Sequence, residues 1–303
     1  MFLRYNHIVL KASTSLPTME SKPASSLPLA QIAELVNVSF SNGIWGEVNY
    51  SAEAIAVWFK RNFTALELSH IYYLPSDLET PVAFAFISTR DDKPTEVRIA
   101  PMGVVPSFRR QGLGLKAMNA LIEAEKKRGT TLLELECAQK NAAALNLYKS
   151  VGFVISQELC TWEGTSPQAG ESDSISTLGE CEMAEVERLV KLHAADDLPW
   201  PAWGFNAPPI RGRAFTLGHA YCCVADPDDA KPDAAVELLT LFVEPEWRGK
   251  GEAKALLKAI MAKYPGRKWV ASGPFPKQHG EKLVVEMGFK EVDSARYQMR
   301  LTF

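Results

Sequence analysis

A short basic turn punctuated by glycine, Arg109-Arg110-Gln111-Gly112-Leu113-Gly114, constrains this chain more than any other stretch. It follows an apolar strand ending Met102-Gly103-Val104-Val105-Pro106 and opens a helix whose apolar face repeats at Leu113, Ala117, Leu121 and Ala124. A strand that feeds a helix through such a turn makes a phosphate cradle. Glycines without Cβ let backbone N–H groups point at an anion, the helix N-terminus adds partial positive charge, and two arginines stand close by. The ligand is therefore expected to carry phosphates. Taken alone, Gly112-x-Gly114-x-x-Ala117 with Glu134 further on also fits a dinucleotide fingerprint, so a nicotinamide cofactor is an alternative at this point.

The residues after the turn narrow the choice. Leu132 to Cys137 reads as a strand, and Asn141, Ala144, Leu147-Tyr148 and Gly152-Phe153 fall on and just after a second helix. Arg-x-x-Gly-x-Gly succeeded by Asn-x-x-Ala-x-x-Leu-Tyr-x-x-x-Gly-Phe resembles the GNAT N-acetyltransferase superfamily. The resemblance implies an α/β fold of the mixed α+β kind, a mostly antiparallel twisted sheet flanked by helices. It also implies acetyl-CoA as cosubstrate, with Val104, Val105, Arg109, Arg110, Gln111, Gly112, Gly114 and Leu115 holding the coenzyme. Asn141 is expected as a helix cap or a coenzyme contact.

The same strand, cradle and helix recur at Leu239 to Ala253, with Arg248-Gly249-Lys250-Gly251 at the turn. Arg109 is matched by Arg248 and Gly152-Phe153 by Gly288-Phe289, a nearly constant offset that indicates duplication. Two tandem GNAT-fold domains are expected, over residues 1–163 and 174–303, joined by a polar, turn-rich linker at 164–173. The repeated turn, Gly249-x-Gly251-x-x-Lys254, lacks the third small residue of a dinucleotide site and disfavours the nicotinamide alternative.

Composition excludes other classes. A net charge of −3 over 303 residues leaves no basic surplus for a nucleic acid. No run approaches membrane-spanning length, and Met1 to Ala12, interrupted by Arg4, His7 and Lys11, does not read as a secretory signal. The five scattered cysteines lack metal-ligand spacing, so reduced thiols, no metal and a cytoplasmic location are expected.

Along the first unit, His7 to Ala12 reads as an opening strand and Ser13 to Ser26 as a loop. Helices are expected at Leu29 to Phe40 and Ser51 to Phe63, with Trp45 between them beside an acceptor pocket or simply packed. Strands are expected at His70 to Leu74, Pro81 to Ser88 and Glu96 to Val105, and strands near Val154 to Trp162 should finish the sheet. Pro101 removes a ladder donor and Gly103 permits an unusual backbone, so a bulge should splay the sheet there. In the family that splay admits the pantetheine arm, and a backbone N–H near Val104 faces the thioester carbonyl.

A free alkyl amine has a pKa of about 10 and must lose a proton before it can attack a thioester. Strand alternation makes Glu96 the candidate base. Members of the family often carry a glutamate eleven residues before the first basic residue of the cradle, where this chain has Arg98. Tyr148, at the tyrosine of the family motif, is the candidate acid for the departing thiolate; on spacing alone it would read as a core residue over Ala144.

The second unit is the complement. Glu237 stands eleven residues before Arg248, but Val284 replaces the tyrosine, so this copy reads as degenerate; Ala253 replaces the second cradle glycine, which the family tolerates, so it could still bind the coenzyme. Leu198 to Trp203 and the Cys222-Cys223 pair read as packing. Glu47, Glu53 and Glu67 lean toward a cationic amine acceptor; with no basic or obviously peptide-binding groove a small molecule is expected, and a protein amino group stays open as an alternative. A regulatory module that binds acyl-CoA without transfer, or activity in the second unit through Glu237, are the alternatives.

Overall fold

The computed structural model describes residues 18–41, 48–168, 178–193, 212–225, 234–292 and 295–303, without the side chains of 272–274 and 279. Two units are present. The first runs to Ser156 and takes in Gln298–Phe303; the second is Gln157–Tyr297.

The first unit contains β1 (Glu20–Pro23), α1 (Leu29–Phe40), α2 (Ala52–Arg61), β2 (His70–Leu74), β3 (Asp77–Thr89) and β4 (Glu96–Val104), then α3 (Leu113–Arg128), β5 (Leu132–Ala138) and α4 (Ala142–Ser150). Its strand order is β1-β2-β3-β4-β5, completed beyond β5 by β13 (Arg296–Thr302). The first four strands pair antiparallel and β4 pairs β5 parallel. The local signals act as expected: Ser51 caps α2 by accepting the Ala54 N–H at 3.2 Å. Leu113, Ala117 and Leu121 bury one face of α3, and Tyr72 ties that helix to β2 by donating to Ala117 O at 3.0 Å.

Three expectations are corrected. Residues 20–23, read as part of a loop, form β1 on the sheet edge, where a polar Ser-Lys-Pro sequence suits an unpaired side. The strand after Phe153, β6 (Val154–Thr165), only begins in the first unit: from Gln157 it belongs to the second and pairs β11 (Lys268–Pro276). The division at Ser156 also replaces the expected linker. Gly164 and Thr165 are paired strand residues, Ser166 N–H donates to Arg267 O at 2.9 Å, and Pro167 O accepts from Gly266 at 3.1 Å. Residues 169–173 of that linker, the opening strand at 7–12, Trp45, Glu47 and the 198–203 segment lie outside the described residues.

The second unit repeats the plan with β7 (Gly179–Cys181), α5 (Met183–His193), β8 (Gly212–Leu217), β9 (Ala220–Ala225), β10 (Val236–Val243), α6 (Glu252–Lys263), β11, α7 (Lys277–Glu286) and β12 (Lys290–Glu291). Its strands are ordered β7-β8-β9-β10-β11-β6, with β12 also on β6. Cys222 and Cys223, adjacent on β9, bury into two different clusters of this unit, as strand alternation requires.

Candidate active site

The bulge expected at Pro101 is present. Between Ala85↔Met102 and Ile87↔Ile99, β4 carries one residue more than β3. On its other edge β4 pairs β5 only from Glu96↔Leu132 to Arg98↔Glu134, and no pair lies beyond. The two parallel strands part at that point. Val105 donates its N–H to Val82 O at 2.9 Å, so alternation along the strand turns the Val104 N–H to the opposite edge, the one β5 has left.

Beyond β4 the chain makes a 3-10 turn at Pro106–Phe108 and enters α3 through two left-handed residues, Arg110 (φ 59°) and Gly112 (φ 77°). Such a φ is costly for arginine and natural for glycine. The turn aims the first N–H groups of α3 outward, with no side chain capping them. A cavity of about 450 Å³ opens against this turn. Its wall includes Val104, Arg109, Arg110, Gly112 and Gly114 from the cradle, Asn141 and Tyr148 from the second helix, and Ser39 and Phe40 from α1.

Four expected residues do not line it. Val105 is buried with its N–H committed to β3, Gln111 folds back with Nε2 donating to Ser107 O at 3.1 Å, and Leu115 lies in the first turn of α3. Glu96, the expected base, sits at the start of β4, away from the cavity, and is paired with Lys93 at 3.3 Å.

Arg109 lines the cavity but its charge has another task. Nε donates to Val104 O at 3.0 Å and an Nη to Ser39 O at 2.5 Å, so one guanidinium straps the end of α1 to the end of β4. Arg110 is exposed and also lines the cavity. Asn141 caps α4 by accepting the Ala144 N–H at 3.2 Å and also lines the cavity.

Tyr148 is partly exposed as a residue, yet desolvation around its hydroxyl, with the Cys137 thiol adding to it, pushes the phenol well above its ordinary value. It therefore keeps its proton through the whole neutral range.

The chemistry that sequence reasoning missed lies on β5. Glu134 and Glu136 alternate with Leu133, Leu135 and Cys137, a charged face on a strand whose other face is apolar; that period of two was the available signal. Arg98 grips Glu136 with both Nε and an Nη, the shortest contact being 2.6 Å. Burial lowers the Arg98 pKa while Glu136 raises it, with a net rise that keeps it charged. Glu136 is the first carboxylate beyond the last β4–β5 pair, where the strands part. Glu134 is nearly fully buried and its carboxyl is pushed up to about 7 by desolvation first and by Glu136 second, against Arg300, Arg98 and Arg90. It accepts from Gln298 at 3.0 Å and meets Arg300 at 3.4 Å, both from β13. Glu53, in the first turn of α2, and Glu67, bonded by Ser25 Oγ at 2.8 Å, do not line the cavity.

The second cradle keeps the backbone and changes the chemistry. Gly249 (φ 76°) and Gly251 (φ 86°) are left-handed, and Arg248 repeats the strap, donating to Val243 O at 3.1 Å and His193 O at 3.4 Å. Where the first copy has Leu113, α6 opens with Glu252, which accepts the His219 N–H at 2.8 Å. A carboxylate on the first helical turn opposes a phosphate there. Val284, in place of Tyr148, is buried in the core, and Glu237 lies on β10 opposite Val270 of β11.

Among the described residues no helix is long and apolar enough to cross a membrane, and no three metal-ligating side chains cluster. Residues 30–153 match the model of the acetyltransferase (GNAT) family. The chain is 44% identical over 71 residues to the ribosomal protein bS18-alanine N-acetyltransferase of Escherichia coli K12, a stretch covering 23% of this chain and 46% of that protein. It thus spans about half the length of the curated relatives it matches. Similarity of fold extends further. A GCN5-related N-acetyltransferase from Sphaerobacter thermophilus superposes with a TM-score of 0.63 at 16% identity, covering 95% of this chain and 97% of that one. A tandem GNAT protein from the clavulanic acid biosynthesis pathway gives 0.58 at 14% identity, over 94% and 98%. The chain carries a GNAT-family acetyltransferase domain at residues 30–153, within the two-unit fold of tandem GNAT proteins.

Proposed function

We propose that the first unit transfers the acetyl group of acetyl-CoA to a primary amine of a small molecule, by direct attack within a ternary complex. The observation that carries this reading is the cavity itself, which runs from an uncapped helix N-terminus to a protonated tyrosine past a strand edge with a free-facing N–H. The diphosphate would lie on the N–H groups at Gly112 to Gly114 with Arg110 beside it, and the thioester at the parting of β4 and β5. A Cβ on Gly114 would point at Leu147 and Val104, both in the cavity wall, at 3.5 and 3.7 Å.

In this reading Glu136, which is not in the cavity wall but stands where β4 and β5 part, is the base rather than Glu96. It accepts a proton from the ammonium, directly or through water, and the freed lone pair attacks the carbonyl carbon. The C–N bond forms as the carbonyl pair moves onto oxygen, where the Val104 N–H meets the developing charge. Collapse breaks the C–S bond. The nitrogen gives up its second proton, the sulfur leaves with a proton from Tyr148, and the tyrosine is reprotonated from water. The net reaction yields an amide, free thiol and one proton.

The test is release of thiol from acetyl-CoA across an amine panel, with the product weighed by mass spectrometry. Gly112→Glu should abolish both CoA binding in calorimetry and turnover, while Gly251→Glu leaves both intact. Turnover lost only with Gly251→Glu would move the activity to the second unit. Binding without turnover of any amine would leave an acyl-CoA-binding module. The relatives named as ribosomal protein alanine N-acetyltransferases place a peptide with a free N-terminal alanine in the panel, and preference for it would replace the small-molecule acceptor.

A further inference from the structure

Ser39, in the last turn of α1, is 2% exposed, and its hydroxyl has no hydrogen-bond partner. A helical serine usually satisfies itself on a carbonyl of the preceding turn. Its neighbour Ser41 does so, donating to Val38 O at 3.0 Å. Ser39 instead lines the candidate cavity with its hydrogen-bonding capacity unspent.

Two independent contacts place it. Arg109 holds Ser39 O and Val104 O on one guanidinium, which fixes the two residues side by side. A Cβ built on Gly103 would lie 3.1 Å from the Ser39 Cβ, so the serine packs closely against Gly103, the residue before Val104. The peptide joining those two residues carries the N–H turned toward the gap left by β5. A side-chain donor and a backbone donor thus lie on neighbouring residues of two elements that line one cavity. Such paired donors suit an oxygen that gains charge during a reaction.

We propose that the Ser39 hydroxyl is a second donor to the thioester carbonyl, acting with the Val104 N–H on the oxyanion of the tetrahedral adduct. This rests on the acetyl-transfer reading of the cavity. As the amine nitrogen bonds to the carbonyl carbon, the displaced π pair settles on oxygen and strengthens both hydrogen bonds. As the C–S bond breaks, the pair returns. No proton leaves Ser39.

The experiment uses the full chain, with Ser39→Ala and the near-isosteric Ser39→Cys, whose S–H is a weak donor. It measures CoA affinity by calorimetry, thiol release from acetyl-CoA with alkyl amines and an alanine-initiated peptide, and the melting temperature without ligand. Ser39→Ala should lower kcat by about 10- to 100-fold, with CoA affinity within about twofold and a melting temperature unchanged or raised, because a buried orphan hydroxyl has been removed. Ser39→Cys should fall between. A kcat within about threefold of wild type overturns the proposal, as does an equal loss of CoA affinity, which would make the hydroxyl a coenzyme hook. A lowered melting temperature would mark a structural hydroxyl and also overturn it. A wild-type chain that binds CoA but acetylates nothing in the panel defeats the enzyme reading and this inference together. Turnover by wild type that Ser39→Ala matches defeats the inference alone.

Discussion

At the scale of single residues, two groups tuned by burial give separable expectations. Tyr148 holds its proton far into the alkaline range, so it is useful only as a donor. Tyr148→Phe should lower kcat by roughly 100-fold, within the usual range for a general acid, while CoA affinity in calorimetry stays within about twofold. Equal loss in both would make the ring a packing residue. Glu134 is tuned the other way, from an ordinary 4.5 up to about 7. Between those values the native state keeps a proton that the unfolded chain has released. The stability this provides is therefore complete below about pH 4.5 and is lost as pH rises through about 7. The loss is on the order of 3 kcal/mol. Glu134→Gln keeps the acceptor for Gln298 and cannot ionise. Its melting temperature should therefore gain on wild type between pH 5 and pH 8, and parallel pH profiles would count against the buried acid.

At the scale of elements, the structure is built on close approach. A Cβ on Gly103 would fall 2.6 Å from Phe84 Cε1 and 3.1 Å from the Ser39 Cβ, with α1 on one side and the sheet below. Gly103→Ala should cost about 1–3 kcal/mol by overpacking and misplace the Val104 N–H. A lower melting temperature together with reduced turnover is the expected pair of results. This scale was also the most legible from the amino acids. The Ser51 cap, the apolar face of α3, the bulge at Pro101 and the glycine turn are each specified within a few residues, and each lies where local chemistry places it. Arg109 was harder to read. Its charge suggested phosphate, but its carbonyl partners come from β4 and from α1, 70 residues away in sequence. Glu136 was hidden for a similar reason. Its meaning depends on Arg98 of another strand and on where a ladder ends, neither of which local periodicity encodes.

At the scale of the whole chain, duplication is plain in the repeated cradle, whereas the exchange of strands is not. Nothing near Val154 distinguishes a strand that closes its own sheet from one that pairs β11. The pairing is decided by residues more than a hundred positions away. The first unit depends on Gln298 and Arg300 to hold Glu134, and Phe303 N–H donates to Thr131 O at 3.1 Å. Deletion of residues 298–303 should leave a buried acid without partners and the outer edge of β5 bare. The expected outcome is loss of CoA binding and a chain that aggregates. A truncated protein that still binds CoA with native affinity would refute this dependence.

Synthesis proceeds from the amino end, so the ribosome has the cradle and Tyr148 in hand well before it makes the segment that closes their sheet. During that interval the nascent first unit has an open seam and the second is being made. Any product that terminates early, or is clipped behind Tyr297, would carry every catalytic side chain proposed here and still lack a finished scaffold. A chain broken before residue 298 would therefore hold the proposed site on a sheet that lacks its outer strand.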